Sequence, residues 1–137
     1  MTATPPSIVG TWKLVNAIAR DEHGTALPKP YGPAGMGMVT LSASGRMMAV
    51  LCDGRADLES GATRAYASYC GNYTFDGATL TTHVDASGLP RIAIGRDQVR
   101  GVRFDGERMI LTPPPLMTND KEIHRELHWE RISATSA

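Results

Sequence analysis

The chain of 137 residues carries 14 Lys and Arg side chains against 14 Asp and Glu side chains, so its formal net charge is zero. This balance provides neither a basic surface for nucleic acid nor an acidic tail, and no apolar run reaches the roughly 18–20 residues of a membrane-spanning helix. The N-terminal stretch lacks a charged segment followed by an apolar one, so we predict no secretory signal and a cytoplasmic location. The length favours one domain over residues 1–137, with frayed tails at 1–7 and 133–137.

The first half of the chain predicts short strands separated by loops. GTWKLVNAIARD alternates like a strand and places Trp12, Leu14 and Asn16 on one face. The following ALPKPYGPAGMG is too rich in Pro and Gly for a helix or a central strand, so we expect a loop. MGMVTLSASGRMMAVL predicts two strands around a turn at 43–45, and the polar segment 53–65 is either a loop or one short helix.

Two later stretches share one motif. GNYTFDGATLTTHVD and QVRGVRFDGERMILTPP both carry Phe-Asp-Gly between strand-forming flanks. Asp-Gly is a strong hairpin signal because Gly adopts positive φ without a Cβ clash, so we expect tight turns at Asp76-Gly77 and Asp105-Gly106. A loop of two or four residues puts the apolar side chains of both strands on one face, whereas a loop of three would bury His83 instead. We prefer the even loop.

A last strand, IHRELHWERI, follows a polar loop at 117–122. The total is about eight or nine short strands with almost no helix, which predicts an all-β protein. Strands joined in chain order build a meander, and a meander of this length most simply closes into an antiparallel up-and-down barrel without free edges. A barrel of about eight strands has room inside for one small ligand. A two-sheet sandwich is the alternative architecture.

The same register predicts an unusual set of polar side chains on the inward face of the barrel. Arg100 shares a strand face with Phe104, and Arg125 shares one with Trp129. Gln98, Tyr69 and Tyr73 join them. The inward set contains no Asp or Glu, and a buried charge is costly unless it is paired. We therefore expect backbone carbonyls, tyrosine hydroxyls, water or a ligand to satisfy the guanidinium groups, although arginines at strand ends also commonly extend to a barrel mouth.

No motif predicts a metal or a cofactor. His124 and His128 stand four residues apart, but in a segment that alternates like a strand. GxSxG, P-loop and GxGxxG motifs are absent from the sequence. Cys52 and Cys70 are expected to be small, reduced side chains because nothing indicates an oxidising compartment. The predicted partner is a small molecule, neither nucleic acid nor membrane, and a homodimer is compatible with the sequence.

The chain also resembles a known family. GTW at 10–12 matches the GxW start of lipocalins and other calycins. The later blocks GMGMVTLSASGRMMAVL, YCGNYTFDGATLTTHV, RDQVRGVRFDGERMILTPPPL and LHWER are similar to bacterial and fungal lipocalin-like domains. The resemblance covers roughly 8–132 and implies a closed antiparallel barrel with an internal cavity, without fixing one activity. It implies cyclase or isomerase roles for some members in natural-product pathways. Members often have two adjacent histidines where this chain has Thr82 and His83, so a role of the first histidine does not transfer.

Three functions from different classes remain. The first is binding of a small, largely apolar molecule with a carboxylate or carbonyl group inside the barrel. The second is a cofactor-free isomerase or cyclase, in which Arg100 and Tyr69 or Tyr73 stabilise an oxyanion and His83 moves the proton if the register turns it inward. The third is a packed barrel with a structural or interaction role. We prefer binding because the sequence holds no nucleophile–base pair at a diagnostic spacing.

The candidate site follows from the inward face. The expected ligand-binding residues are Gln98, Arg100, Arg125, Tyr69, Tyr73, Met47, Val102 and Leu111. Further methionines, Met36, Met38, Met48 and Met117, are expected to add adaptable apolar lining. Trp12 and Trp129 are expected to close the base of the barrel.

Overall fold

The computed structural model describes residues 7–133, so the tails expected at 1–7 and 133–137 lie almost entirely outside the described residues. Ten strands follow one another along the described part of the chain, and their pairings are antiparallel. They are β1 (Gly10–Asp21), β2 (Ala26–Leu27), β3 (Gly35–Leu41), β4 (Arg46–Asp53), β5 (Tyr66–Phe75), β6 (Thr79–Ser87), β7 (Asp97–Asp105), β8 (Arg108–Thr112), β9 (Leu116–Thr118) and β10 (Lys121–Ser133).

Eight of these strands close into a barrel. β1 pairs with β3, and the order continues through β4, β5, β6, β7 and β8 to β10, which pairs back with β1. β2 and β9 are short additions to β1 and β10. Residues 7–133 contain no helix, and so none that could cross a membrane. The predicted all-β, antiparallel up-and-down barrel is confirmed.

The first Phe-Asp-Gly motif forms the predicted hairpin between β5 and β6. Phe75 pairs with Leu80 across a loop of four residues. The Asp76 side chain accepts hydrogen bonds from two backbone amides of this loop at 2.9 and 2.7 Å, which fixes its shape. Gly77 has a φ of 98°, a conformation that favours glycine.

The second motif forms the hairpin between β7 and β8. Asp105 pairs with Arg108 across a loop of two residues, and the first of them, Gly106, has a φ of 60°. Both loops therefore have an even length, and the apolar residues before and after each turn share the interior face, as predicted. On this face the buried positions of the returning strands are Leu80, Thr82, Val84, Met109 and Leu111; Ile110, on the opposite face of β8, is buried as well.

The two hairpin turns lie at one end of the barrel together with the turn at 42–45. The amide of Tyr73 donates to the carbonyl of Gly45 at 2.9 Å, and the amide of Val102 donates to that of Ala78 at 2.8 Å. Large apolar side chains fill this end, which we call the base. Those almost completely buried are Trp12, Leu41, Leu80, Met109 and Trp129.

Trp12 ties both ends of the described chain to the base. Its indole Nε1 donates a hydrogen bond to the carbonyl of Ile8 at 3.0 Å. The guanidinium of Arg131 lies over the indole ring, 4.2 Å from its centroid, and donates to the carbonyls of Val9 and Ser7. Because these contacts join the start of β1 to the end of β10, the structural role expected for Trp12 follows directly from the geometry.

The predicted alternation of β1 is wrong in its second half. Trp12 and Leu14 face the interior as expected, but a β-bulge between Leu14 and Asn16 adds one residue to the strand. The register shifts, so Ala17 rather than Asn16 takes the next interior position and pairs with Leu127. The bulge leaves the polar Asn16 side chain on the outer face.

The prediction that several methionines line the interior is wrong for all but one of them. Met47 is buried, whereas Met36, Met38, Met48 and Met117 are exposed. Side chains alternate along a strand, so two adjacent methionines cannot both face inward. Two short strands, β2 and β9, also occur in segments expected to be loops, and residues 54–65 form a loop rather than a short helix.

Candidate functional site

The end of the barrel opposite the base opens into a cavity of about 430 Å³. Three loops form its mouth, and they contribute residues 30–31, 91–92 and 113–116. Each loop joins strands at the end that lacks the Phe-Asp-Gly turns. The volume falls in the range of roughly 300–1,000 Å³ that is usual for small-molecule sites.

The inner part of the cavity is apolar. Its wall comes from interior-facing residues of five strands, and Trp129, which also belongs to the core cluster and pairs with Met109 at the base, lines its inner end. The apolar lining includes Val39, Met47, Ala49, Leu111, Leu127 and Trp129. This surface suits a hydrocarbon or aromatic group and offers no carboxylate.

Four of the predicted polar residues lie on the wall of the cavity: Tyr69, Gln98, Arg100 and Arg125. Arg100 pairs across the sheet with Leu80, which is completely buried, so both side chains point to the interior. Gln98 is two residues earlier on the same face of β7. Their roles in ligand binding stay predictions, but the structure brings these side chains together.

Arg100 is partly satisfied by its neighbours. Its Nη1 donates to the carbonyl of Val99 at 2.9 Å, and its Nη2 donates to Oε1 of Gln98 at 2.9 Å. Burial raises the pKa of Tyr69, and the nearby charge of Arg100 opposes this shift. Tyr69 therefore keeps its proton near neutral pH and can donate a hydrogen bond to an oxygen atom in the cavity.

Arg125 is the least satisfied arginine of the wall. Its Nη2 donates to the carbonyl of Pro114 at 3.5 Å, the limit of a hydrogen bond. Its Nε is buried and has no partner within residues 7–133. Burial lowers the pKa of Arg125, and the positive charges of Arg100 and Arg91 lower it further. An arginine stays protonated nonetheless, so the cavity holds a cation that lacks a counter-charge nearby.

Three predicted site residues lie outside the cavity. The hydroxyl of Tyr73 donates to the carbonyl of Ser42 at 2.6 Å, next to the base. Val102 packs against the core at the same end. His83 is on the outer face, where its Nδ1 lies 2.9 Å from Oδ1 of Asp97. A proton-transfer role for His83 required that the register turn its side chain inward. The side chain faces outward instead.

The mouth loops supply cavity residues that the sequence pattern did not predict. Tyr31 and Arg91 line the cavity, and so do the three prolines at 113–115. Tyr31 packs against both clusters of buried apolar side chains. A large aromatic residue between Pro and Gly was a usable signal, because a tyrosine brings a large apolar surface that contributes strongly to cores and binding surfaces. The three prolines indicated only that the preceding strand ends before them.

The loop that carries Tyr31 rests on an ion pair whose carboxylate is buried and whose guanidinium is partly exposed. Asp53, 4% exposed, accepts hydrogen bonds from Arg55 Nε at 3.0 Å and from Arg55 Nη2 at 2.6 Å. A Cβ on Gly32 would lie 2.6 Å from Oδ2 of Asp53. Only glycine lets the loop approach this carboxylate, so the ion pair supports one side of the cavity mouth.

This pair predicts a specific loss of stability in acid. Hydrogen bonds from Arg55 lower the pKa of Asp53 to about 2, against about 3.9 in an unfolded chain. A lowered pKa stabilises the fold above the unfolded value, and the contribution is lost as the pH falls from about 4 to about 2. We expect Asp53→Asn to lower the melting temperature at pH 7 and to flatten its decline between pH 4 and pH 2.

Thermal melts of both proteins across this pH range check the expectation. Other carboxylates titrate in the same range, so the difference between the two curves is the relevant quantity. An equal decline in the wild type and in Asp53→Asn would show that the pair does not stabilise the fold.

The described residues do not bring together three or more His, Cys, Asp or Glu side chains in a way that could hold a metal ion. Cys52 and Cys70 are free thiols rather than a disulfide. Both lie on β-strands and are partly exposed. The polar side chains that line the cavity offer hydrogen bonds and positive charge beside an apolar inner part.

A closed eight-stranded barrel, with a tryptophan-filled base and a cavity at the other end, defines a small calycin-type β-barrel. The sequence model of the lipocalin-like domain matches residues 9–132, which is most of the chain. The chain belongs to the lipocalin-like domain family, as the resemblance indicated. A comparison with curated proteins finds no match. The family and the fold are suited to small-molecule binding in general.

Proposed function

We propose that the protein binds a small, largely apolar molecule with a carboxylate or carbonyl group in the cavity. The observation that carries the proposal is the division of the cavity into an apolar inner part and a wall that bears Gln98, Arg100 and Arg125. The apolar body of the ligand would displace water from the inner part, and the wall would hold its oxygen atoms through charge-assisted hydrogen bonds.

The two alternatives have less support. A barrel with only a structural role needs no cavity and no inward arginines. An isomerase or cyclase needs a proton acceptor beside the substrate, and His83, the histidine considered for that role, lies on the outer face. Tyr69 and Arg100 could stabilise an oxyanion, but they supply no base. Binding is therefore the function that the arrangement favours.

Filling the cavity tests the proposal. Ala49 lines the cavity between Val39 and Tyr69, so Ala49→Phe should occupy the space that the ligand needs. Phenylnaphthylamine, a neutral apolar dye that fluoresces when it leaves water, serves as the probe. We expect saturable binding to the wild type and at least about tenfold weaker binding to Ala49→Phe.

The matched control is Val50→Phe, the adjacent residue, whose side chain points outward and is exposed. It adds an aromatic ring without touching the cavity, so binding should be unchanged. A loss of binding in Val50→Phe alone would place the dye on the outer face and contradict the proposal, and equal binding to all three proteins would do the same.

One domain over residues 1–137 and a cytoplasmic location belong to the same proposal.

A further inference from the structure

The charge of the cavity wall is one-sided. Three arginines line the cavity, Arg91, Arg100 and Arg125, against a single carboxylate, Asp97. Asp97 is half-exposed, and its Oδ1 contacts the ring of His83 on the outer face. The carboxylate is therefore engaged away from the arginines, and the interior of the cavity has an excess of positive charge.

The two inner arginines differ in how far the protein satisfies them. Arg100 donates to two oxygen atoms at 2.9 Å, from Val99 and Gln98. Arg125 has one hydrogen bond at 3.5 Å, and its Nε is buried without a partner in the described part of the chain. Arg125 is half-buried, and a charge partly removed from water without a counter-charge is costly, so an anionic group bound beside it would satisfy these free donors.

The positions of these groups set the orientation of a ligand. Arg125 precedes Trp129 by four residues on the same face of β10, which places them roughly 13 Å apart along the strand. Trp129 lies at the inner end of the cavity, and Arg125 lies towards the mouth, beside the loop that contains Pro114. An apolar body would therefore enter first, and a charged group would stay near the mouth.

We propose that the ligand is an anion, namely a small apolar molecule with one carboxylate-type oxyanion that Arg125 holds as the principal anchor and Arg100 supports. This inference rests on the proposed function and selects the anion over a neutral carbonyl compound. An oxyanion satisfies the unpaired donors of Arg125 and offsets the repulsion between Arg125 and Arg100. A neutral carbonyl accepts hydrogen bonds but leaves that repulsion in place.

Two dyes with the same apolar body test the inference. Anilinonaphthalene sulfonate carries an anionic group, and phenylnaphthylamine lacks it. We expect the wild type to bind the sulfonate at least about tenfold more tightly than the neutral dye, because hydrogen bonds to charged groups are the stronger ones. Arg125→Met should remove this preference and leave the affinity for the neutral dye within about twofold. Arg100→Met should reduce the preference by a smaller factor.

Arg103→Met is the matched control, since it removes the same charge from the outer face of β7, where Arg103 pairs with Glu126. Its preference for the sulfonate should equal that of the wild type. Arg125→Gln, which keeps a polar side chain of moderate length, repeats the test if Arg125→Met is unstable. Melting temperatures of all variants are measured alongside the affinities.

The outcomes separate the two proposals. If the wild type binds the neutral dye in the cavity but shows no preference for the sulfonate, the anion inference is overturned and the proposed function stands. The same holds if Arg103→Met lowers the preference as much as Arg125→Met. If Ala49→Phe leaves the binding of both dyes unchanged, the proposed function itself fails.

Discussion

Trp12→Ala should leave the protein largely unfolded or insoluble. Trp12 is 1% exposed at the base, and its removal costs burial of a large ring and leaves a cavity, together about 3–5 kcal/mol. It also removes the hydrogen bond to Ile8 and the ring beneath Arg131. The loss is comparable with the whole stability of a typical domain, about 5–15 kcal/mol. Circular dichroism and the yield of soluble protein measure the effect.

Two milder variants keep this prediction testable if Trp12→Ala cannot be purified. Trp12→Phe keeps an aromatic ring but leaves the Ile8 carbonyl without its donor, whereas Trp129→Phe removes an indole N–H that has no partner among the described residues. We expect Trp12→Phe to be the more destabilised of the two by about 1 kcal/mol in urea titrations. A stable, soluble Trp12→Ala with the wild-type melting temperature would show that Trp12 is peripheral.

The sequence was sufficient to predict the barrel because its signals are local. Each Phe-Asp-Gly motif determines a turn, an even loop determines which residues face inward, and alternation carries that choice along the strand. The assignments of Leu80, Arg100 and Trp129 to the interior followed from this reasoning. The predicted alternation of β1 is wrong after the bulge between Leu14 and Asn16. A bulge inserts one extra residue into a strand, and no residue type in the sequence marks its position.

The candidate site could be predicted only where it is built from strands. Gln98, Arg100 and Arg125 have a direction that alternation fixes, and they line the cavity. Tyr31 and Arg91 reach it from loops, whose path depends on tertiary contacts such as the approach of Gly32 to Asp53. Alternation also gives no information on depth along the barrel, so Tyr73 and Val102 were assigned to the site although they lie at the base.

Gly71→Ala should be among the most disruptive changes to the interior. Gly71 is buried on β5 and pairs with Val84, next to the register shift between β5 and β6. A Cβ at this position would lie 1.8 Å from the carbonyl oxygen of His83 and 3.2 Å from the Cα of Val84. Both atoms belong to the backbone, so no side chain can rotate away.

The two strands would have to separate. Val84 also exchanges hydrogen bonds with the loop at the cavity mouth, since its amide donates to Arg96 and its carbonyl accepts from Gly95. Moving β6 therefore strains that loop as well. We expect a loss of about 3 kcal/mol or more and a melting temperature lower by about 10 °C or more. Binding of the neutral dye should weaken as the mouth is displaced.

Gly101→Ala is the matched control, because it makes the same change in the neighbouring hairpin. The nearest atoms to a Cβ on Gly101 belong to Thr112 and lie 3.7 Å away, an ordinary van der Waals distance. Alanine has less conformational freedom than glycine in the unfolded chain, so this substitution could even stabilise the protein by about 0.4–1 kcal/mol. Thermal melts of the two alanine variants give the comparison. Equal melting temperatures would show that β5 and β6 can separate at Gly71 without cost, and that the close approach of these strands does not hold the barrel together.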